Sequence, residues 1–236
     1  MKKDVDLLIQ ELKGLVSMLN NSLPKEIPLG ISISIDPTRA VIFRVAFLYR
    51  VAEITESAYD AFVKDNLVVA FILSRAFMET ETLFWAFVNK LKVAIQTRNI
   101  NDIRQFLTGC LIGVKNDELK QLKHPSDVSL ITTPTNILTF IQKMDKKIPG
   151  YELHHASLSE FSHPNAAGTV DAYVSLDWEA MVARFGKNKS KLIPELALPQ
   201  LLASLKGFLD CYDYSAKLLE QFVPLCEELL PKSTQT

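Results

Sequence analysis

Apolar residues recur at three- and four-residue intervals over most of this chain, broken by a few prolines and polar clusters. Val5, Leu8, Leu12, Leu15 and Leu19 form one such stripe and predict an amphipathic helix over 3–21, with Asn20-Asn21 as its stop. Pro24 and Pro28 hold the next segment extended into Gly30–Ile35, whose strict alternation reads as a short strand or edge. Asp36-Pro37 opens a second helix, an acid at the cap and proline at the first helical position, reaching about Phe62. Asp65 is expected to cap a third, Leu67 to about Gln96, which is apolar nearly all round and so should be the most buried element.

Asn101-Asp102 starts a fourth helix that Gly113 ends, and residues 115–133 read as a short helix followed by a loop. A fifth helix begins at Pro134 or Thr135 and stops near Ile148, before Pro149-Gly150. A sixth starts at Tyr151 and is ended by Pro164. Val170–Leu176 alternates like a strand, and Ser175 or Asp177 is expected to cap a short helix over Trp178–Phe185. The last helix runs from about Pro199 to Leu230, with residues 232–236 as a disordered tail. The fold expected is all-α: one domain over 1–236, a bundle of six to eight helices, with Ile31–Ile35 and Val170–Leu176 pairing as a minor two-stranded ribbon.

Composition narrows the function classes. The 236 residues are 48% hydrophobic and 22% charged, ordinary for a globular protein. Lys+Arg (26) nearly balances Asp+Glu (27), so no global field draws the chain to nucleic acid or an anionic surface. Three widely spaced cysteines without a CxxC pair read as small hydrophobes in a reducing compartment, which makes the cytoplasm the expected location. Asp4, Asp6, Gln10 and Glu11 interrupt what would otherwise be a secretory h-region. The most lipid-like stretch, 67–88, carries Arg75, Glu79 and Glu81, whose charges are costly in a bilayer. It fits the centre of a helical bundle better, so no membrane partner is expected.

Candidate chemistry concentrates in two places. Tyr151, His155, Ser159 and His163 lie four apart in sequence or multiples of it, one face of the sixth helix, with His154, Leu158 and Phe161 expected on a neighbouring, core-facing side. Imidazoles beside a hydroxyl suit acid–base work near neutral pH. His155 and His163 stand about 12 Å apart along a helix, too far to share one metal ion without a bend, and His124 or a distant acid would be needed to help. No metal or other cofactor is therefore expected. The second place is the apolar third helix, where Arg75 and Glu79 share a face while Glu81 and Thr82 fall on other faces and read as bystanders. A third, weaker candidate is the basic stretch Arg184, Lys187, Lys189 and Lys191, able to contact phosphates. Gly-rich phosphate loops and GxSxG elbows are absent from the sequence.

Arg75-Ala-Phe-Met-Glu79 and Tyr151…Ser159-Glu-Phe-Ser-His163-Pro164 resemble the paired motifs of an uncharacterised family of prokaryotic helical proteins, over roughly the middle half of the chain. That family is in turn loosely similar to HEPN-type helical domains, which include metal-independent ribonucleases of toxin and phage-defence systems. The resemblance implies a site of Arg75, Glu79, Ser159 and His163 with RNA as a partner, and Tyr151, His155 and Asn165 are expected beside it as ligand contacts. The sequence departs from the nuclease pattern in one respect: no arginine stands four to six residues before any histidine. Three functions follow from these observations. They are a non-catalytic or regulatory interaction module, dimeric through an exposed apolar helix face; a ribonuclease or other phosphate-handling enzyme; and a binder of a small molecule or metal in the bundle core.

Overall fold

A computed structural model describes residues 2–111, 113, 136–188 and 191–230. The fold is all-α with a minor ribbon. Among the described residues the helices are α1 (Lys2–Ser22), α2 (Ile35–Val63), α3 (Leu67–Thr97), α4 (Asn101–Leu111), α5 (Ile137–Asp145), α6 (Tyr151–Ser162), the single turn α7 (Asp171–Tyr173) and α8 (Leu198–Glu228). A π turn, Ala166–Val170, leads into α7, and a 3-10 turn, Pro194–Leu196, precedes α8. The expected short helix within 115–133, the start of α5 at Pro134 or Thr135 and the tail at 232–236 lie outside the described residues.

At the junction between α2 and α3, Asp65 takes the left-handed conformation, φ 53°, at the end of α2. There Asn66 N donates to Ala61 O (2.8 Å) and Asp65 N to Phe62 O (3.1 Å), the double bond of a Schellman ending. Asn66 then begins the α3 ladder, its carbonyl accepting from Ala70 N.

The ribbon exists but is built elsewhere. β1 (Val174–Asp177) pairs antiparallel with β2 (Val182–Phe185), and 31–35 takes no part. The helix expected over Trp178–Phe185 is therefore a turn and a strand. Asp177 Oδ1 accepts from Ala180 N at 3.0 Å and Met181 adopts φ 55°, so the acid caps a turn, not a helix.

The residues group into two compact units. Met1–Leu23, Leu48–Thr82 and Ile141–Gly207 make the first; Pro24–Phe47, Leu83–Phe140 and Phe208–Thr236 make the second. The core of the second is aromatic. Phe43, Phe84, Phe87 and Phe208 are all buried, with the Phe43–Phe87 and Phe84–Phe208 ring centroids both 4.8 Å apart. At its edge Arg104 grips buried Asp36 through Nη2 (2.7 Å) and Nε (3.0 Å), and the Arg44 guanidinium lies 3.5 Å over the Tyr212 ring. The first unit packs Leu12, Leu19, Phe71, Phe77, Met78, Leu158, Leu201 and Leu205 into its interior. As expected, α3 buries side chains along its whole length, from Leu67 to Ala94. No helix among the described residues is long and apolar enough to cross a membrane.

Candidate functional site

Every residue of the candidate site belongs to the first unit, where α6 meets α3. The contacts climb one helix while descending the other: Tyr151 meets Met78, Glu81 and Thr82, then His155 meets Glu79, then His163 meets Arg75. The two helices are therefore antiparallel, joined by a row of polar contacts between apolar ones. Leu158, 1% exposed, and the edge-on Phe71–Phe161 pair supply the apolar part.

Glu79 is the hub. Its Oε1 lies 3.1 Å from His155 Nε2 and 3.2 Å from Arg75 Nε. The hydrogen bond from His155, with the nearby positive charge of Arg75, holds this carboxyl below its ordinary range despite partial burial. A carboxylate accepts, so His155 Nε2 carries the proton in this contact. His155 is itself buried, and His154, expected on the core-facing side with Leu158 and Phe161, is exposed instead.

Arg75 Nη1 stands 3.5 Å from His163 Nε2, across 88 residues of sequence. Guanidinium only donates, so His163 accepts at Nε2 and keeps its proton on Nδ1. Arg75 Nε is buried, and Glu79 Oε1 lies out of line for a hydrogen bond, which leaves this N–H without a hydrogen-bond partner despite the ion pair. The imidazole sits on the last turn of α6, with His163 N donating to Ser159 O and the chain turning extended at φ −90°, ψ 150°. Gly168 backs this turn. A Cβ there would come within 2.1 Å of His163 O and 2.8 Å of Phe161 O, so only glycine lets the π turn close against the end of α6.

Other residues singled out in the sequence stand in local roles. The Ser159 hydroxyl donates to His155 O (2.8 Å) along its own helix. Asn165 caps the π turn, accepting from Gly168 N (3.0 Å) and donating to Glu160 Oε2 (2.8 Å). Lys187 Nζ reaches Asp65 O (2.5 Å) and Lys64 O (3.3 Å), closing the C-terminal end of α2 where a cation is favoured. Arg184 pairs with Asp177 at 3.0 Å, Lys191 is exposed, and Lys189 and His124 lie outside the described residues.

The structure also corrects the dismissal of Glu81 and Thr82. With Tyr151 they form a buried polar group one turn from the hub. Tyr151 Oη lies 2.7 Å from Glu81 Oε2 and 3.0 Å from Thr82 Oγ1. Burial raises the Glu81 carboxyl to about 7, against the pull of hydrogen bonds from Tyr151 and Ser204. Burial also lifts the Tyr151 phenol well above its ordinary range, with the Glu81 charge adding to it. The sequence signal for this group was the phenol of Tyr151, a hydroxyl on the inner face of α6 that had to find a partner.

Among the described residues no group of three or more His, Cys, Asp or Glu is placed to hold a metal ion. Two features thus stand side by side: a half-exposed guanidinium–imidazole pair steadied by a carboxylate and a buried histidine, and a buried carboxyl–phenol pair behind it. No family model, curated protein or solved structure matches this chain.

Proposed function

We propose that Arg75 and His163 act together on a phosphate ester, with RNA as the substrate class and no resident cofactor. The meeting of a half-buried guanidinium and an accepting imidazole, 3.5 Å apart and drawn from distant parts of the chain, carries this reading. Arg75 supplies the planar fork that suits a phosphate. Glu79 fixes the fork's stem and is fixed in turn by His155, so the fork is preorganised for an anion. In the step proposed, the RNA 2′-hydroxyl attacks the adjacent phosphorus and gives its proton to His163 Nε2. The P–O5′ bond breaks, and the 5′-oxygen leaves with a proton returned by the same imidazole, while Arg75 neutralises the charge gathered on the phosphoryl oxygens. The loose similarity of the resembled family to HEPN-type helical domains supports the same reading, although their arginine–histidine spacing on one helix is absent from this sequence. The three widely spaced cysteines, with no CxxC pair, suit a reducing cytoplasm as the compartment.

The test is incubation of the full chain with an unstructured RNA oligonucleotide in the presence of EDTA, with 2′,3′-cyclic phosphate ends as the product sought. Loss of a proton-transfer group costs about 100-fold or more in rate, so His163→Asn should cleave at least that much more slowly than wild type. Arg75→Ala should fall similarly and also weaken RNA binding by fluorescence anisotropy. Equal cleavage by wild type and His163→Asn, or neither cleavage nor binding by a folded wild type, overturns the proposal. In that event Arg75, Glu79, His155 and His163 serve only to fasten α6 to α3, as the interaction-module reading requires.

A further inference from the structure

The ribbon leaves its apolar face bare. Cross-strand partners Val174–Phe185 and Leu176–Ala183 set four apolar side chains on one side, because side chains alternate along a strand. Ser175–Arg184 and Asp177–Val182 occupy the other, where Arg184 and Asp177 pair. The apolar side continues at the tip into Trp178 and Met181, which line a groove with Leu176, Ala183, Asp177 and Val182. Leu176 is 55% exposed, Trp178 73%, Met181 78% and Phe185 80%, and all of β2 is exposed. A hairpin of four-residue strands is marginal in water by itself. At about 200 Å² for each large side chain, the bare apolar surface comes to roughly 600 Å², the upper end of what a monomer leaves uncovered.

We propose that this face is the contact between two copies of the chain, packed about a two-fold axis with Phe185 of each ribbon seated in the groove of the other. The ribbon carries both halves of such a self-complementary contact: a projecting ring at one end and a groove of about 160 Å³ at the other. Cavities of about 150 Å³ accept benzene, so the groove is the size of a phenyl ring. The area agrees as well. Roughly 600 Å² per copy supplies the apolar centre of an interface that buries about 800 Å² per partner, with a polar rim making up the rest. A bilayer is a poorer occupant, since Asp177 and Glu179 at the tip would enter it beside Trp178. This contact is independent of the Arg75–His163 site.

Sedimentation of the full chain up to tens of micromolar should give twice the 26.6 kDa chain mass. Phe185→Ser and, separately, Ala183→Glu should each raise the dimer dissociation constant at least 30-fold with an unchanged far-UV dichroism spectrum. Hydrogen exchange over 174–185 in the wild type should slow at least fivefold from the lowest to the highest concentration, a readout that needs no variant. A monomer throughout the range, or a dimer indifferent to both substitutions, overturns the proposal. So does a monomer whose ribbon is protected only by phosphatidylcholine–phosphatidylserine vesicles.

Discussion

Glu81 offers the sharpest test of how the first unit is held together. The side chain is 3% exposed, bonded to Tyr151 and Ser204, and its carboxyl is raised by burial from 4.5 to about 7. The native state therefore keeps its proton over a range in which the unfolded chain has lost it. The stability tied to that proton is whole below about pH 4.5, declines as pH rises, and is gone above about pH 7. A rise from 4.5 to about 7, at about 1.4 kcal/mol per unit, amounts to about 3 kcal/mol. Glu81→Gln keeps the shape and cannot ionise, so it removes this one dependence. Urea unfolding of both proteins should be followed from pH 4.5 to 8.5, and their difference at each pH isolates Glu81 from every other titrating group. That difference should move by about 3 kcal/mol in favour of the glutamine variant as pH rises through the window. Two parallel curves would refute the reasoning, because they would mean that Glu81 titrates alike in the folded and unfolded chain.

Two further outcomes follow from packing. A Cβ on Gly207 would lie 2.6 Å from Glu81 Oε1, so Gly207→Ala should destabilise by about 1–3 kcal/mol, and a second change, Glu81→Ala, should relieve most of that added cost. Thermal unfolding of the two single variants and the double variant checks it, and additive losses would count against it. Phe84→Ala removes a fully buried ring packed on Phe87 and Phe208 and should cost about 3–5 kcal/mol in urea unfolding, whereas a loss below about 1 kcal/mol would mean that this aromatic core is loosely packed.

The long helices were legible because their signals are local. The 3.6-residue periodicity, Asp36-Pro37 at one helix start and Pro164 after one helix end need no knowledge of neighbours. The ribbon was not. Alternation in 31–35 and 170–176 shows only that a strand is affordable, and pairing is decided by what lies opposite. The true partner, Val182–Phe185, is four residues long and is entered through Met181 at positive φ, where no glycine or asparagine marks the turn. Arg75, Glu79, His155 and His163 were legible as residues worth attention, and the structure brings them together. Glu81 and Thr82 were passed over because helical spacing turns them away from Arg75. That spacing is real, but it does not say what the other face meets, and here it meets the phenol of Tyr151 and the backbone of Gly207. Ser159 and Asn165 share their face or segment with the histidines, yet each is drawn into local hydrogen bonds that helices and turns offer readily to such side chains.

The three polar contacts between α6 and α3 also act as indexing teeth. Leucines and phenylalanines can slide past one another by a fraction of a turn at little cost, whereas a phenol, an imidazole and a guanidinium each accept one seat. Deleting a single residue between Ala156 and Leu158 would leave Tyr151 and His155 engaged and swing everything beyond by about 100°. His163 would then point away from Arg75, uncoupling the pair by geometry with no change to either side chain.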